Sequence, residues 1–179
     1  MPIGSNHPAC EPNRTFPFPR PPRMRIYFAA PLFCAAEYDF NERLTARLEA
    51  AGFSVYLPQR DGPEKGRPPF NIADPYERRE AIFTRDRDEV FAADILLFVA
   101  DGRVPDEGAC VELGLAYAQR HLEGRRKLLI GLHTDARGAF LGARLNPMLH
   151  VALDAIVHEE DALMAALEHY VRTGALPAE

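Results

Sequence analysis

Residues 93–118 read ADILLFVADGRVPDEGACVELGLAYA. Ile95 to Ala100 form an unbroken apolar run, the pattern of a strand covered on both faces. A loop holding Asp101 and Asp106 follows, and it leads into a helical segment in which Glu112 keeps unusual company. Its neighbours at helical spacings of three and four are Gly108, Ala109, Leu115 and Ala116, so its own helix offers no cation to neutralise it. Placing a carboxylate among apolar and small side chains costs free energy and tends to shift its ionisation, so stability alone gives no reason for it. Strand, acidic loop and helix together read as a unit that holds a reactive carboxylate over the end of a sheet.

Toward the N-terminus, Arg25 to Ala30 (RIYFAA) predicts a first buried strand, stopped by Pro31. Phe33 to Gly52 carries a helical pattern with Phe40, Leu44, Leu48 and Ala51 apolar and Gly52 as the C-cap. Phe53 to Leu57 is a short second strand closed by Pro58, and QRDGPEKGRPPFNIADP after it reads as a long loop of the kind that walls a binding site. Asp74 and Pro75 mark an N-cap and a first helical position, opening a helix through Tyr76, Ala81, Ile82 and Val90 toward Ala93. On the other side, Lys127 to Leu132 is a fourth strand and HTDARGAFLGARLNP a second irregular region. Val151 to Val157 reads as a fifth strand, and Asp161 to Thr173 as an amphipathic helix with Leu163, Leu167, Tyr170 and Val171 inward. This alternation implies an α/β fold with a parallel sheet covered on both faces, its ligand crevice beyond the carboxyl ends of the strands. Residues 1–23 are dense in proline and show neither period, so they read as a disordered arm before a folded domain at 24–179.

The 179 residues, 47% hydrophobic and 26% charged, suffice for one well-cored domain and are too few for two comfortable ones. A net charge of -5 argues against life on phosphate backbones or anionic membranes, so neither nucleic acid nor a membrane is expected as a partner. Cys10, Cys34 and Cys110 are widely spaced and form no CxxC pair, which suggests neither a disulfide framework nor a zinc site and fits a reducing cytoplasm. The turn after the first strand is APLFCAAE rather than GxGxxG, and no GxxxxGK[ST] occurs, so no dinucleotide or NTP phosphate cradle is indicated. Six histidines are scattered without HExxH, and there is no GxSxG elbow. No metal and no cofactor is called for. What remains is an acidic site of Asp86, Asp101, Asp106 and Glu112, with Tyr27 placed to reach the same crevice. Carboxylates without metal-binding histidines suggest glycosyl transfer or hydrolysis, in which one carboxylate attacks an anomeric carbon and another acid protonates the leaving group.

YFAAPLF at Tyr27 to Phe33, DRDE at Asp86 to Glu89, the D-x-G-x-x-x-E-x-G pattern from Asp106 to Gly114, and RLNPML at Arg144 to Leu149 recur in the order found in the nucleoside 2-deoxyribosyltransferase family. The chain resembles that family from about Met24 to Val171. The resemblance implies a flavodoxin-like (Rossmann-like) three-layer sandwich in a single domain with a five-stranded parallel sheet. It implies subunits that associate as a homodimer or larger even homo-oligomer, and a glutamate that moves 2-deoxyribose between nucleobases, with deoxynucleosides and free bases as partners.

Carried over residue by residue, the resemblance makes Glu112 the nucleophile, Asp106 a carboxylate near the sugar and base, and Asp86 the group that exchanges a proton with the base. Tyr27 would orient the nucleophile through its hydroxyl, and Phe33 would stack on the base. Asn146 and Met148 would reach a neighbouring subunit's site, with Pro147 between them a local departure from the family pattern. Gln59 and Arg60 would line the base pocket. Ordinary roles compete with these: Asp106 as a helix N-cap, Asp86 as part of a solvated helix face, Tyr27 and Phe33 as packing, Gln59 as a polar loop residue. The nearest rival activity is hydrolysis of 2-deoxynucleoside or nucleoside monophosphates on the same fold, which should need a phosphate cluster that the serine-free APLF turn does not supply. A non-catalytic nucleotide-binding module is the alternative from another class.

Overall fold

The computed structural model describes residues 23–63, 71–102, 104–135 and 145–177. The arm expected at 1–23 lies outside the described residues except for Arg23, as do the middles of the two irregular regions at 64–70 and 136–144. Five strands form one sheet: β1 Arg25–Ala29, β2 Ser54–Tyr56, β3 Ile95–Val99, β4 Leu128–Leu132 and β5 Ala155–Val157. Every pairing is parallel, in the order β2-β1-β3-β4-β5. This is the flavodoxin-like order, and its direction of winding reverses between β1 and β3. β3 (ILLFV) and β4 (LLIGL) are buried at every residue because they sit inside the sheet, whereas the edge strand β5 is only half-buried.

Six helices among the described residues cover the sheet: α1 Ala35–Ala50, α2 Pro58–Asp61, α3 Pro75–Ala92, α4 Glu107–Glu123, α5 Pro147–Ala152 and α6 Glu160–Thr173. Strand side chains alternate between two cores. Ile26, Phe28, Ile95, Leu97 and Val99 pack with Leu44 and Leu48 of α1 and with Leu163 and Leu167 of α6. Tyr27, Ala29, Leu96 and Phe98 face the other way, onto Val90 of α3 and Ala109, Leu113 and Ala116 of α4. Right-handed crossovers give this partition once the winding reverses, with α1 and α6 on one face and α3, α4 and α5 on the other. Each fully buried Leu, Ile or Phe contributes about 1.5–3 kcal/mol relative to exposure. Among the described residues no helix is long and apolar enough to cross a membrane.

Helix boundaries follow local chemistry. Asp74 caps α3, its carboxylate accepting from the amides of Tyr76 and Glu77 at 2.7 and 3.0 Å, with Pro75 in the first turn. The helix expected from Phe33 begins at Ala35, because Glu37 Oε2 accepts from the amides of Phe33 and Cys34 at 2.7 and 3.0 Å and fixes Cys34 as the cap. Two stretches differ from expectation. Pro58 to Asp61 is a short helix rather than the start of a loop, with Pro58 in its first turn and Asp61 Oδ2 accepting from the amide of Leu57. Val151 and Ala152, expected in a strand, close α5 instead: Asn146 caps that helix by accepting from the amide of Met148 at 2.9 Å, and the strand is confined to Ala155–Val157. In α6 the inward set includes Leu163, Leu167 and Tyr170, whereas Val171 is 53% exposed, one position beyond the buried stripe.

The C-terminal end of α3 is closed by two cations. Arg125 Nη1 donates to the Phe91 carbonyl at 2.7 Å, and the buried Lys127 ammonium donates to the Val90 carbonyl. Burial lowers the Lys127 pKa to about 8, with the nearby charge of Arg125 acting in the same direction. A folded-state pKa depressed below the unfolded one adds stability above the unfolded value and loses it as pH falls through the folded one. Stability is therefore expected to rise between pH 8 and 10 by on the order of 2 kcal/mol, and Lys127→Met should remove that rise. Urea titrations at the two pH values check it; an equal rise in both proteins would assign the pH dependence elsewhere.

Candidate active site

Tyr27 is the third residue of β1 and pairs in register with Tyr56 of β2 and Leu96 of β3. Adjacent strands in register point their paired residues to the same face, which brings the two tyrosine rings together on the α3/α4 side. Their centroids lie 5.5 Å apart with the planes inclined by 21°. Both rings are buried, Tyr27 completely. A buried phenol needs an acceptor, and each of these has a carboxylate. The Tyr27 hydroxyl donates to Glu112 Oε1 at 2.7 Å, and the Tyr56 hydroxyl donates to Asp86 Oδ1 at 3.1 Å. Glu112 lies in the second turn of α4 and Asp86 on the inner side of α3, so two helices each lower one carboxylate onto the same pair of rings.

The Tyr27 phenol is pushed well above the usual phenol range, first by burial and then by the negative charges of Glu112 and Asp86, with the hydrogen bond to Glu112 adding to both. Two consequences follow. Tyr27 stays protonated and keeps donating, and the fields of both carboxylates converge on one oxygen. Arg85 lies 5.5 Å from the centre of the Tyr56 ring while its guanidinium pairs with Glu89 at 2.8 Å, and Glu89 also pairs with Arg25.

The other expected site residues take varied positions. Asp106 caps α4, its Oδ2 accepting from the Ala109 amide at 2.8 Å. Gly108 gives that carboxylate room, since a Cβ there would stand 3.1 Å from Asp106 Oδ2. Asp101 binds the segment after β4: it accepts from the amides of Thr134 and Asp135 at 2.6 and 2.9 Å and from the Thr134 hydroxyl at 2.6 Å. Gln59 is buried, its amide accepting from Asn41 at 3.0 Å and donating to the Tyr38 carbonyl at 3.0 Å, which braces α2 against α1. Arg60 donates to the Val55 carbonyl at 2.9 Å and pairs with Glu49 and Asp61. Phe33 stands 75% exposed in the turn after β1, and Met148 is 79% exposed beside the cap residue Asn146. Tyr56 was not anticipated, because a single strand sequence does not reveal which residue its neighbour brings alongside. Among the described residues no group of His, Cys, Asp and Glu side chains is arranged to hold a metal.

A sequence profile of nucleoside 2-deoxyribosyltransferases matches residues 26–167, a span that includes Tyr27, Asp86, Asp106, Glu112 and Asn146. The chain belongs to that family. No curated protein sequence matches it. Among solved structures, a conserved protein from Enterococcus faecalis V583 is similar, with 24% identity, a TM-score of 0.64, and coverage of 82% of this chain and 98% of that one. A 2-deoxyribosyltransferase from the psychrotolerant Bacillus psychrosaccharolyticus is similar at 21% identity and a TM-score of 0.59, covering 78% of this chain and 90% of that one. At such identities both likenesses concern the fold. Family membership makes this a nucleoside 2-deoxyribosyltransferase-like protein, with nucleosides and nucleobases as its substrate class.

Proposed function

We propose that the protein transfers 2-deoxyribose between nucleobases by a retaining double displacement, with Glu112 as nucleophile and Asp86 as acid and base. The observation that carries this reading is the 2.7 Å bond from the buried Tyr27 hydroxyl to Glu112 Oε1. A charge-assisted bond from a group fixed in the sheet orients the carboxylate before substrate arrives. In the first half-reaction Glu112 bonds to C1′ as the C1′–N bond breaks, and the departing base takes a proton from Asp86. In the second, the acceptor base attacks C1′ from the face the first base left, Glu112 is released as a carboxylate, and Asp86 takes the acceptor's proton. Two inversions give net retention. The cationic sugar formed in each half-reaction is stabilised by the negative charge of Glu112. In this reading Asp106 contacts the sugar and Phe33 stacks on the base.

Incubating the protein with a deoxynucleoside and a different free base should yield the exchanged nucleoside of the same anomeric configuration. Free base alone at high acceptor concentration would reassign the protein to hydrolysis, and binding without turnover would make it a sensor.

The reading extends to the assembly. Asn146 and Met148 face outward, and Val111 of α4 and Val151 of α5 are exposed apolar residues on two helices packed side by side. A neighbouring subunit covering this side would receive Asn146 into its own site, in a homodimer or larger even oligomer. Specific activity is expected to fall on dilution in parallel with dissociation seen by sedimentation. Full activity of a dilute monomer would remove the role given to Asn146. Free thiols at Cys34 and Cys110 support a cytoplasmic setting.

A further inference from the structure

We infer that Tyr56 is a positioning residue for proton transfer, its buried hydroxyl fixing the Asp86 carboxyl in the orientation from which it exchanges a proton with the base. The inference rests on the reading of Glu112 as nucleophile and Asp86 as acid and base, and it adds a residue to that machinery.

An aspartate on a helix can turn about two side-chain bonds, and α3 by itself does not choose among the resulting positions. The Tyr56 hydroxyl favours one of them. It donates to Asp86 Oδ1 at 3.1 Å from a residue that is only 5% exposed, so water competes poorly for the bond. The ring that carries the hydroxyl is held on its own account: it stacks on Tyr27 at 5.5 Å, and the Arg85 guanidinium lies 5.5 Å from its centre. Because Tyr27 in turn binds Glu112, the contacts run without a gap from Glu112 through Tyr27 and Tyr56 to Asp86. A tyrosine kept only to fill space would be served as well by phenylalanine. The hydroxyl matters where the proton matters: as the C1′–N bond breaks and the C1′–O bond to Glu112 forms, the bonding pair passes to the base nitrogen and the Asp86 proton passes to the base.

The test compares two donors, a natural 2-deoxynucleoside, whose base leaves with a proton, and 4-nitrophenyl 2-deoxyribofuranoside, whose phenolate leaves without one. Tyr56→Phe is expected to lower kcat/KM for the nucleoside by about tenfold to a hundredfold and for the nitrophenyl donor by less than about threefold. Asp86→Asn should show the same split, and Tyr56→Phe added to it should cost little more, because the two residues act as one unit. Equal slowing of both donors, or of neither, would reduce Tyr56 to a packing residue and overturn the inference. Should Tyr56→Phe not fold, Tyr56→His keeps a ring and a donor: a preserved ratio of the two rates supports the positioning role, and a collapsed ratio overturns it. Loss of both donors in Glu112→Ala tells these outcomes apart from failure of the parent reading, in which that variant would turn over both.

Discussion

Glu112→Ala is expected to abolish base exchange, with kcat/KM for a deoxynucleoside falling by about 10⁴-fold or more, on the order of 5 kcal/mol of transition-state stabilisation. The size follows from the role. A residue that forms a bond to the sugar cannot be replaced by one that only surrounds it, and without the covalent intermediate the two bases cannot exchange in sequence. Glu112→Gln is the stricter variant: its carbonyl oxygen can still accept from Tyr27, so the contact at 2.7 Å is preserved while the nucleophile is lost. Both should fold, because Glu112 lies partly exposed on α4 while the stripe that anchors the helix is Ala109, Leu113 and Ala116. Small anions such as azide or formate should restore part of the turnover in Glu112→Ala, giving a sugar adduct of inverted configuration. Retention of more than a tenth of the wild-type rate in Glu112→Gln would remove this residue from the chemistry.

Tyr27→Phe is expected to lower kcat/KM by about 10²-fold at neutral pH, the cost of one charge-assisted hydrogen bond to a reacting carboxylate. The pH profile separates this role from packing. A carboxylate that has lost a donor takes up a proton more readily, so the acid limb of kcat/KM should move to higher pH in the variant. The wild-type profile should show no alkaline limb from Tyr27 below about pH 10, because burial and two negative charges hold its proton in place. The linkage has a definite sign. A folded-state pKa raised above the unfolded one gives stability that is fully present below the unfolded value and is lost as pH climbs toward the folded one. Tyr27 thus favours the folded protein up to about pH 10 and weakens it above that. An acid limb that stays where it was in Tyr27→Phe would show that the hydroxyl does not act on Glu112.

The parts of this architecture that could be read from the chain were those set by local pattern. Unbroken apolar runs at Ile95 to Ala100 and Leu128 to Leu132 marked the inner strands, because only a strand with neighbours on both sides buries every residue. Asp74 followed by Pro75 marked the start of α3. Asn146 and Pro147 open α5 in the same way, but they stand at the end of a stretch that reads as irregular and the segment VALDAIV behind them reads as a strand, although only Ala155–Val157 pairs with β4. Glu112 stood out through the absence of basic neighbours on its own helix. The role of Asp101 could not be read in the same way: its donors among the described residues come from Thr134 and Asp135, more than thirty positions away, and nothing near Asp101 announces them. Tyr56 was hidden for a related reason, since strand register is a property of the assembled sheet.

The two tyrosines that hold the acidic groups belong to the sheet, whereas Phe33 belongs to the turn between β1 and α1. The frame that makes bonds and the turn that carries Phe33 are therefore different pieces of chain. An engineer could exchange residues of that turn to admit bulkier heterocycles, and the bond-making geometry, anchored in the innermost layer, should survive the change.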